Sequence, residues 1–188
     1  MSRTLITGPD ESITLAQAKL HLRVDHDTDD TRITAMITAA RETAEHELGR
    51  PLGTQVWQIT LDAFPAVELF IGPDVTGIVS IQYLDSAGVL QTLDDAAYVL
   101  DNAEAERCFV IPAEGTDWPA SYDSANAVRV RISCGLTPVP ETVRAWMLMH
   151  IGALYKHAES VTSGVSVAEL PGRFVDRLLD RWRIWGVG

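Results

Sequence analysis

The residue types that could do chemistry in this chain do not converge on a reaction. The run Asp25-His26-Asp27-Thr28-Asp29-Asp30 sets acids at alternate positions, as a calcium loop does. It fails that pattern at two points. The sixth position, where the sharp turn needs Gly, holds Asp30, and the twelfth, which needs a bidentate Glu, holds Met36. The acids read instead as a solvated helix start. The five histidines, His21, His26, His46, His150 and His157, include no pair at the four-residue interval of a helical zinc site. Cys108 and Cys134 stand in strand-like runs without a nucleophile motif, and no G-x-S-x-G elbow occurs. The glycines form neither a phosphate loop nor a dinucleotide fingerprint. Neither a catalytic residue, a metal site nor a cofactor is expected. A cytoplasmic cysteine hydrolase is the alternative of a different class.

One segment does stand out chemically. Residues 171–188 hold Arg173, Arg177, Arg181 and Arg183 against Asp176 and Asp180, a local balance of +2 in a chain of net charge −11. The other 170 residues therefore carry −13. A net charge of this sign disfavours general nucleic-acid binding, which needs a basic face to displace counterions. Within the segment, Phe174, Val175, Leu178, Leu179, Trp182 and Trp185 form one helical stripe and Arg173, Arg177 and Arg181 another. Trp and Arg are residues that interfaces favour. A helix over about 171–185 is expected, tethered by a linker of small polar residues over 158–170. It either packs on its own body or docks in a groove on a partner.

The elements that position this segment follow from periodicity. Thr14-Leu-Ala-Gln17 reads as a capping box opening a short helix to about Leu22. A long helix over about 29–48 carries Ile33, Met36, Ile37, Ala40, Ala44 and Leu48 as one apolar stripe. Acids at its start should satisfy free N–H groups, Gly49 should stop it, and Pro51 follows. From Gln55 the period changes to two, with Trp57, Ile59 and Leu61, and later Val128, Val130 and Ile132, alternating with polar residues. Short apolar runs over 68–71, 78–84, 97–100 and 108–111 lie between turn signals at Gly72-Pro73, 85–88 and 113–115. A third helix over about 140–157 carries Val143, Trp146, Met147, His150, Ile151 and Leu154.

The expected class is α+β. Residues 1–54 and 134–157 form a helical body, with a small antiparallel β lobe of five to seven strands inserted over 55–133. The linker 158–170 and a docking helix within 171–188 follow. Hydrophobic content of 46% is ample for a core. The N-terminus shows no basic-then-apolar secretory signal, and no stretch reaches the ~20 apolar residues of a membrane helix. The expectation is a soluble protein made in a reducing cytoplasm, its cysteines small buried apolar residues.

Three blocks of the sequence resemble the head-to-tail connector, or adaptor, proteins of long-tailed bacteriophages, of the type with a β lobe between helices. Similar proteins occur in prophages and gene transfer agents. The first block is Leu22-Arg23-Val24 with Asp29-Asp30 and Ile33. The second is Ala39-Ala40-Arg41-Glu42 with Ala44-Glu45, running on to Gly49-Arg50-Pro51-Leu52. The third is residues 135–140 with Val143-Arg144, Tyr155, Leu170-Pro171, Leu178-Leu179, Arg183 and Trp185-Gly186. Lys156-His157-Ala158-Glu159 departs from the Arg-Glu pair that relatives often carry after the tyrosine.

The resemblance implies a structural protein of the virion or phage-like particle, made in the bacterial cytoplasm. Such adaptors form a homo-oligomeric ring, usually of twelve copies, beneath the portal protein. Their ring extends the DNA channel, through which DNA passes without specific binding, and joins the capsid to the tail. Its other side receives a stopper or tail-proximal neck protein. No membrane is involved. Portal docking would fall to Arg173, Phe174, Arg177, Leu178, Arg181, Trp182, Arg183 and Trp185. Arg41, Glu45, Arg50, Arg144 and Tyr155 are candidates for the ring interface. Another neck ring component, a stopper or tail terminator, is the alternative within the class.

Overall fold

The computed structural model describes residues 1–163 and 177–185. Its elements run β1 (Ser2–Thr7), α1 (Leu15–Leu22), α2 (Asp30–Leu48), β2 (Gln55–Leu61), β3 (Leu69–Gly72), β4 (Val75–Leu84) and β5 (Leu90–Thr92). A one-turn 3-10 helix (Asp95–Ala97), β6 (Tyr98–Asp101), β7 (Cys108–Pro112), β8 (Val128–Cys134) and α3 (Glu141–Ser163) follow. The class is α+β, with all strand pairs antiparallel. The chain divides into two compact units: Met1–Pro9 with Thr54–Leu136, and Asp10–Gly53 with Thr137–Gly188.

The first unit is the β unit. A five-stranded sheet has the order β1-β2-β8-β4-β5, and a three-stranded sheet the order β3-β7-β6. Strand β8 shows why the alternation works. Val128, Val130, Ile132 and Cys134 are buried, while Arg129 and Arg131 between them are exposed. The buried side chains join Ile59 and Ile81 of the same sheet and Leu69, Ile71, Cys108 and Val110 of the other in one cluster. Turns fall at the expected glycines: Gly72, Gly88 and Gly115 all have positive φ. Strand β1 departs from the expectation of a helical segment over 1–54. Its residues pair with β2 from Ser2↔Thr60 to Thr7↔Val56, so the first sheet takes its edge strand from the N-terminus. The β unit is thus built from two chain segments and is not a simple insertion.

The second unit holds the three helices, each packed against the other two. Thr14 accepts from the Gln17 backbone N–H, and the Gln17 side chain accepts from the Thr14 backbone N–H, the reciprocal box that the spacing predicts. Helix α2 buries Ile33, Ile37, Ala40, Ala44 and Leu48 along one stripe. It ends at Gly49, whose φ of +69° is left-handed and whose N–H bonds the Glu45 carbonyl. Asp29 does not cap α2 with its side chain, contrary to the expectation for the acidic cluster. Its carboxylate is engaged elsewhere in the unit. Helix α3 runs six residues past His157, so 158–163 are helix where a linker was expected. Residues 177–182 are turns, not helix, and the expected helix over about 171–185 is not present there; its first residues lie outside the described ones.

Candidate assembly site in the helical unit

An α-helix leaves its last four carbonyls without partners inside the helix. At the end of α2 the Glu45 carbonyl is taken by the N–H groups of Gly49 and Arg50. Those of Glu47 and Leu48 need donors from elsewhere, and the C-terminal segment brings them. Arg183 donates from Nε to the Glu47 carbonyl at 2.8 Å and from a terminal nitrogen to the Glu47 carboxylate at 2.8 Å. The Ile184 N–H donates to the Leu48 carbonyl at 2.8 Å. A guanidinium at this position also meets the negative end of the helix dipole. Residues 183–184 thereby complete the cap that Gly49 begins.

Neighbouring contacts fasten the same segment. Arg50, 7% exposed, donates to the Trp182 carbonyl at 3.2 Å. The Trp182 indole N–H donates to the Thr142 hydroxyl at 3.2 Å in the first turn of α3. Leu179 is fully buried and Ile184 nearly so. Each apolar side chain buried in this way contributes about 1.5–3 kcal/mol. The outer rim is different. Arg177, Arg181 and Trp185 are exposed, Trp185 at 73%. Arg181 lies over the Trp182 ring at 5.3 Å and Arg183 over the Trp185 ring at 5.3 Å. The segment has an inner row that belongs to its own unit and an outer row presented to solvent.

The eight residues expected to dock divide accordingly. Arg173 and Phe174 lie outside the described residues. Arg183 is tied to α2, while Leu178 and Trp182 are half-buried. Arg177, Arg181 and Trp185 form the outer row. Sequence reasoning missed Glu47, Thr142 and Ile184. The signal available was the helix end itself, since a helix closing at Gly49 must find donors for its last carbonyls.

The ring-interface candidates are occupied inside the unit. Arg41, 7% exposed, bonds Glu11 at 3.2 Å and Glu45 at 2.8 Å and lies 3.7 Å from Glu42. Thr38 donates to the same Glu11 oxygen at 2.9 Å, and Glu45 accepts from the Leu52 N–H at 2.8 Å. The Tyr155 hydroxyl donates to Asp29 at 2.6 Å, and the Arg32 guanidinium lies over the Tyr155 ring at 4.8 Å. This bond explains why Asp29 leaves the start of α2 uncapped. Arg144 pairs with Glu141 one turn earlier at 2.6 Å. Here Arg41, Arg50 and Tyr155 are buried in their own unit, and Glu45 is held by its partners there.

Burial pushes the Cys108 thiol up, away from the thiolate that a hydrolase would need. His150 stacks on Trp146 with ring centroids 4.9 Å apart, and burial lowers its pKa. Among the described residues no group of three or more His, Cys, Asp or Glu is placed to hold a metal ion. Among them also, no helix is long and apolar enough to cross a membrane.

Residues 12–74 match the family described as phage gp6-like head-tail connector protein. No curated protein matches the chain by sequence. Solved structures share its fold, among them the following three. A chain in the neck of an empty gene transfer agent particle, computed with C6 symmetry, aligns at TM-score 0.77 and 18% identity. A chain in the virion of a native gene transfer agent particle aligns at 0.77 and 19%. A third, in the neck of a native particle computed with C12 symmetry, aligns at 0.75 and 19%. Each alignment covers all of this chain and 97% of the other.

Proposed function

We propose that this chain is a structural head-tail connector of a tailed phage or gene transfer agent, working in the neck of the particle. The observation that carries the reading is the coincidence of two independent likenesses. A connector family matches residues 12–74, and chains of gene transfer agent necks match the whole fold. In this reading copies form a ring beneath the portal protein, and the ring continues the DNA channel. A stopper or tail-proximal protein joins the opposite side. The particle's head-tail junction is its place, after synthesis in the bacterial cytoplasm.

The C-terminal segment is the proposed contact with the portal. Its inner row stays with α2, and Arg177, Arg181 and Trp185 reach outward. Cations here would meet acidic groups on the portal, giving a contact that weakens with salt. A chain at −11, repeated around a channel, would repel phosphates over a Debye length of ~8 Å at physiological salt, so DNA slides rather than sticks.

Electron microscopy of this protein mixed with its cognate portal ring tests the reading. A collar of density at one end of the portal is expected. Trp185→Ala should remove the collar without unfolding the chain, because that side chain is 73% exposed. Trp182 is a poorer choice, since its indole and carbonyl both bond within the unit. A bare portal at high protein concentration and low salt would overturn the connector reading.

A further inference from the structure

Strand β1 is held to the β unit by its main chain and by one side chain. It pairs with β2 alone, as an edge of the five-stranded sheet. All six of its residues are exposed, whereas β2 is buried or half-buried throughout. Burial of apolar side chains does most of the work of seating a strand, and β1 offers little of it. Leu5 and Ile6, its largest apolar residues, remain 42% and 47% exposed.

The core face of the strand shows why. Arg3 pairs in register with Ile59, which is fully buried, so a charged residue stands where an apolar one would pack. Its guanidinium lies over the Trp57 ring at 4.8 Å, and a terminal nitrogen donates to the Cys134 sulfur at 3.6 Å. The same group closes on Gly72, where a Cβ would come within 3.0 Å of it. The missing side chain at Gly72 leaves the space that the guanidinium fills. Among the described residues, Arg3 is the one member of β1 whose side chain makes a hydrogen bond, ion pair or ring contact. Beyond Thr7 the chain passes through Gly8, around which a Cβ would meet nothing, and Pro9, and then enters the helical unit.

We propose that β1 is a detachable strap with Arg3 as its pin, lifting from β2 as one piece while the rest of the β unit stays folded. Segments with few buried apolar contacts open first, and they open without global unfolding. Strand β2 keeps its pairing with β8 from Gln55↔Cys134 to Leu61↔Val128, so the sheet loses an edge and not its core. Lifting uncovers two things. One is the outer row of N–H and C=O groups on β2, which then becomes the edge of the sheet. The other is the Cys134 thiol, fully buried while Arg3 lies against it. The inference concerns the chain by itself and stands whether or not the connector reading does.

The Cys134 thiol reports the motion. Cys108 is also fully buried, but its sulfur lies against the Glu104 and Ala105 carbonyls, and it serves as the reference. The full-length chain is treated with N-ethylmaleimide, and mass spectrometry follows each cysteine. Cys134 is expected to react at least about tenfold faster than Cys108, and Arg3→Ala to speed it about tenfold further while Cys108 keeps its rate. A lock completes the test. Thr4 and Gln58 are Cα partners in the ladder, and Thr4→Cys with Gln58→Cys can be joined by oxidation across the two strands. The locked chain should slow Cys134 to within about twofold of Cys108, and reducing the lock should restore the faster rate. Equal rates for the two thiols in the unmodified chain, or a lock that leaves Cys134 unchanged, overturn the strap, and neither result depends on how Arg3→Ala folds. An unchanged Cys134 rate in Arg3→Ala overturns Arg3 as the pin.

Discussion

Arg41→Met is the sharpest test of how the helical unit is held together. Arg41 is 7% exposed and bonds Glu11 at 3.2 Å and Glu45 at 2.8 Å, their side chains being 28% and 18% exposed. Methionine keeps most of the apolar stem and removes the guanidinium. Two carboxylates then face each other without their cation. Breaking a fully buried pair on one side costs about 3–5 kcal/mol. Water reaches both acids in part, which brings the expected loss to about 2–3 kcal/mol. Hydrogen exchange read by mass spectrometry separates the units within one sample. A loss of this size speeds exchange in peptides of α2 about 30-fold or more where it proceeds by opening of the helical unit. Peptides of β2, β4 and β8 serve as the internal reference and should not change. Adding Glu45→Gln should recover part of the loss, because it removes one of the two orphaned charges. Acceleration of α2 below about threefold would refute the hub.

Two further outcomes follow from the same contacts. Leu179→Ala should cost about 2–5 kcal/mol of the energy that seats residues 177–185, because the side chain is fully buried. Proteolysis within that segment should then accelerate at least about tenfold, and an unchanged cleavage rate would refute the seating. Tyr98 should ionise late, since burial and then the hydrogen bond to Asp95 push its pKa up to about 12. A raised pKa favours the protonated form in the fold. Its stabilising contribution is therefore full below the unfolded value near 10 and is lost as pH rises towards about 12. Tyrosinate absorbance should show this late step and lose it in Tyr98→Phe; a Tyr98 step near 10 would contradict it.

The local signals in the sequence were legible because each has a local cause. The capping box at Thr14 and Gln17, the stripe of α2 and the stop at Gly49 depend on spacing within a few residues. So does the alternation of β8. Strand β1 was not legible. Its residues Ser2-Arg3-Thr4-Leu5-Ile6-Thr7 alternate no more clearly than a loop, and pairing with β2, some fifty residues away, is what makes them a strand. Residues 158–163 read as linker because Ser, Thr and Ala are small and polar in composition, yet they continue a helix already nucleated by α3. At the candidate site, Arg and Trp marked the C-terminal segment as chemically distinct. Sequence alone could not say that part of what it binds is the end of α2.

That division bears on how a docking segment can work at all. Arg183 and Ile184 satisfy carbonyls of α2 that would otherwise lack protein donors. Pulling them away to meet a partner would forfeit those bonds, about 1 kcal/mol each for a neutral hydrogen bond and more where a charge takes part. The burial of Leu179 would be lost as well. A partner that touches only Arg177, Arg181 and Trp185 incurs none of these losses. It meets a tryptophan already held beside an arginine, so less freedom is lost when the contact forms. In the proposed docking, the inner row would act by fixing the outer one. This makes the two rows separable by mutation. Changes at Leu179 should loosen the chain itself, whereas changes at Trp185 should leave the chain intact and act on the partner alone.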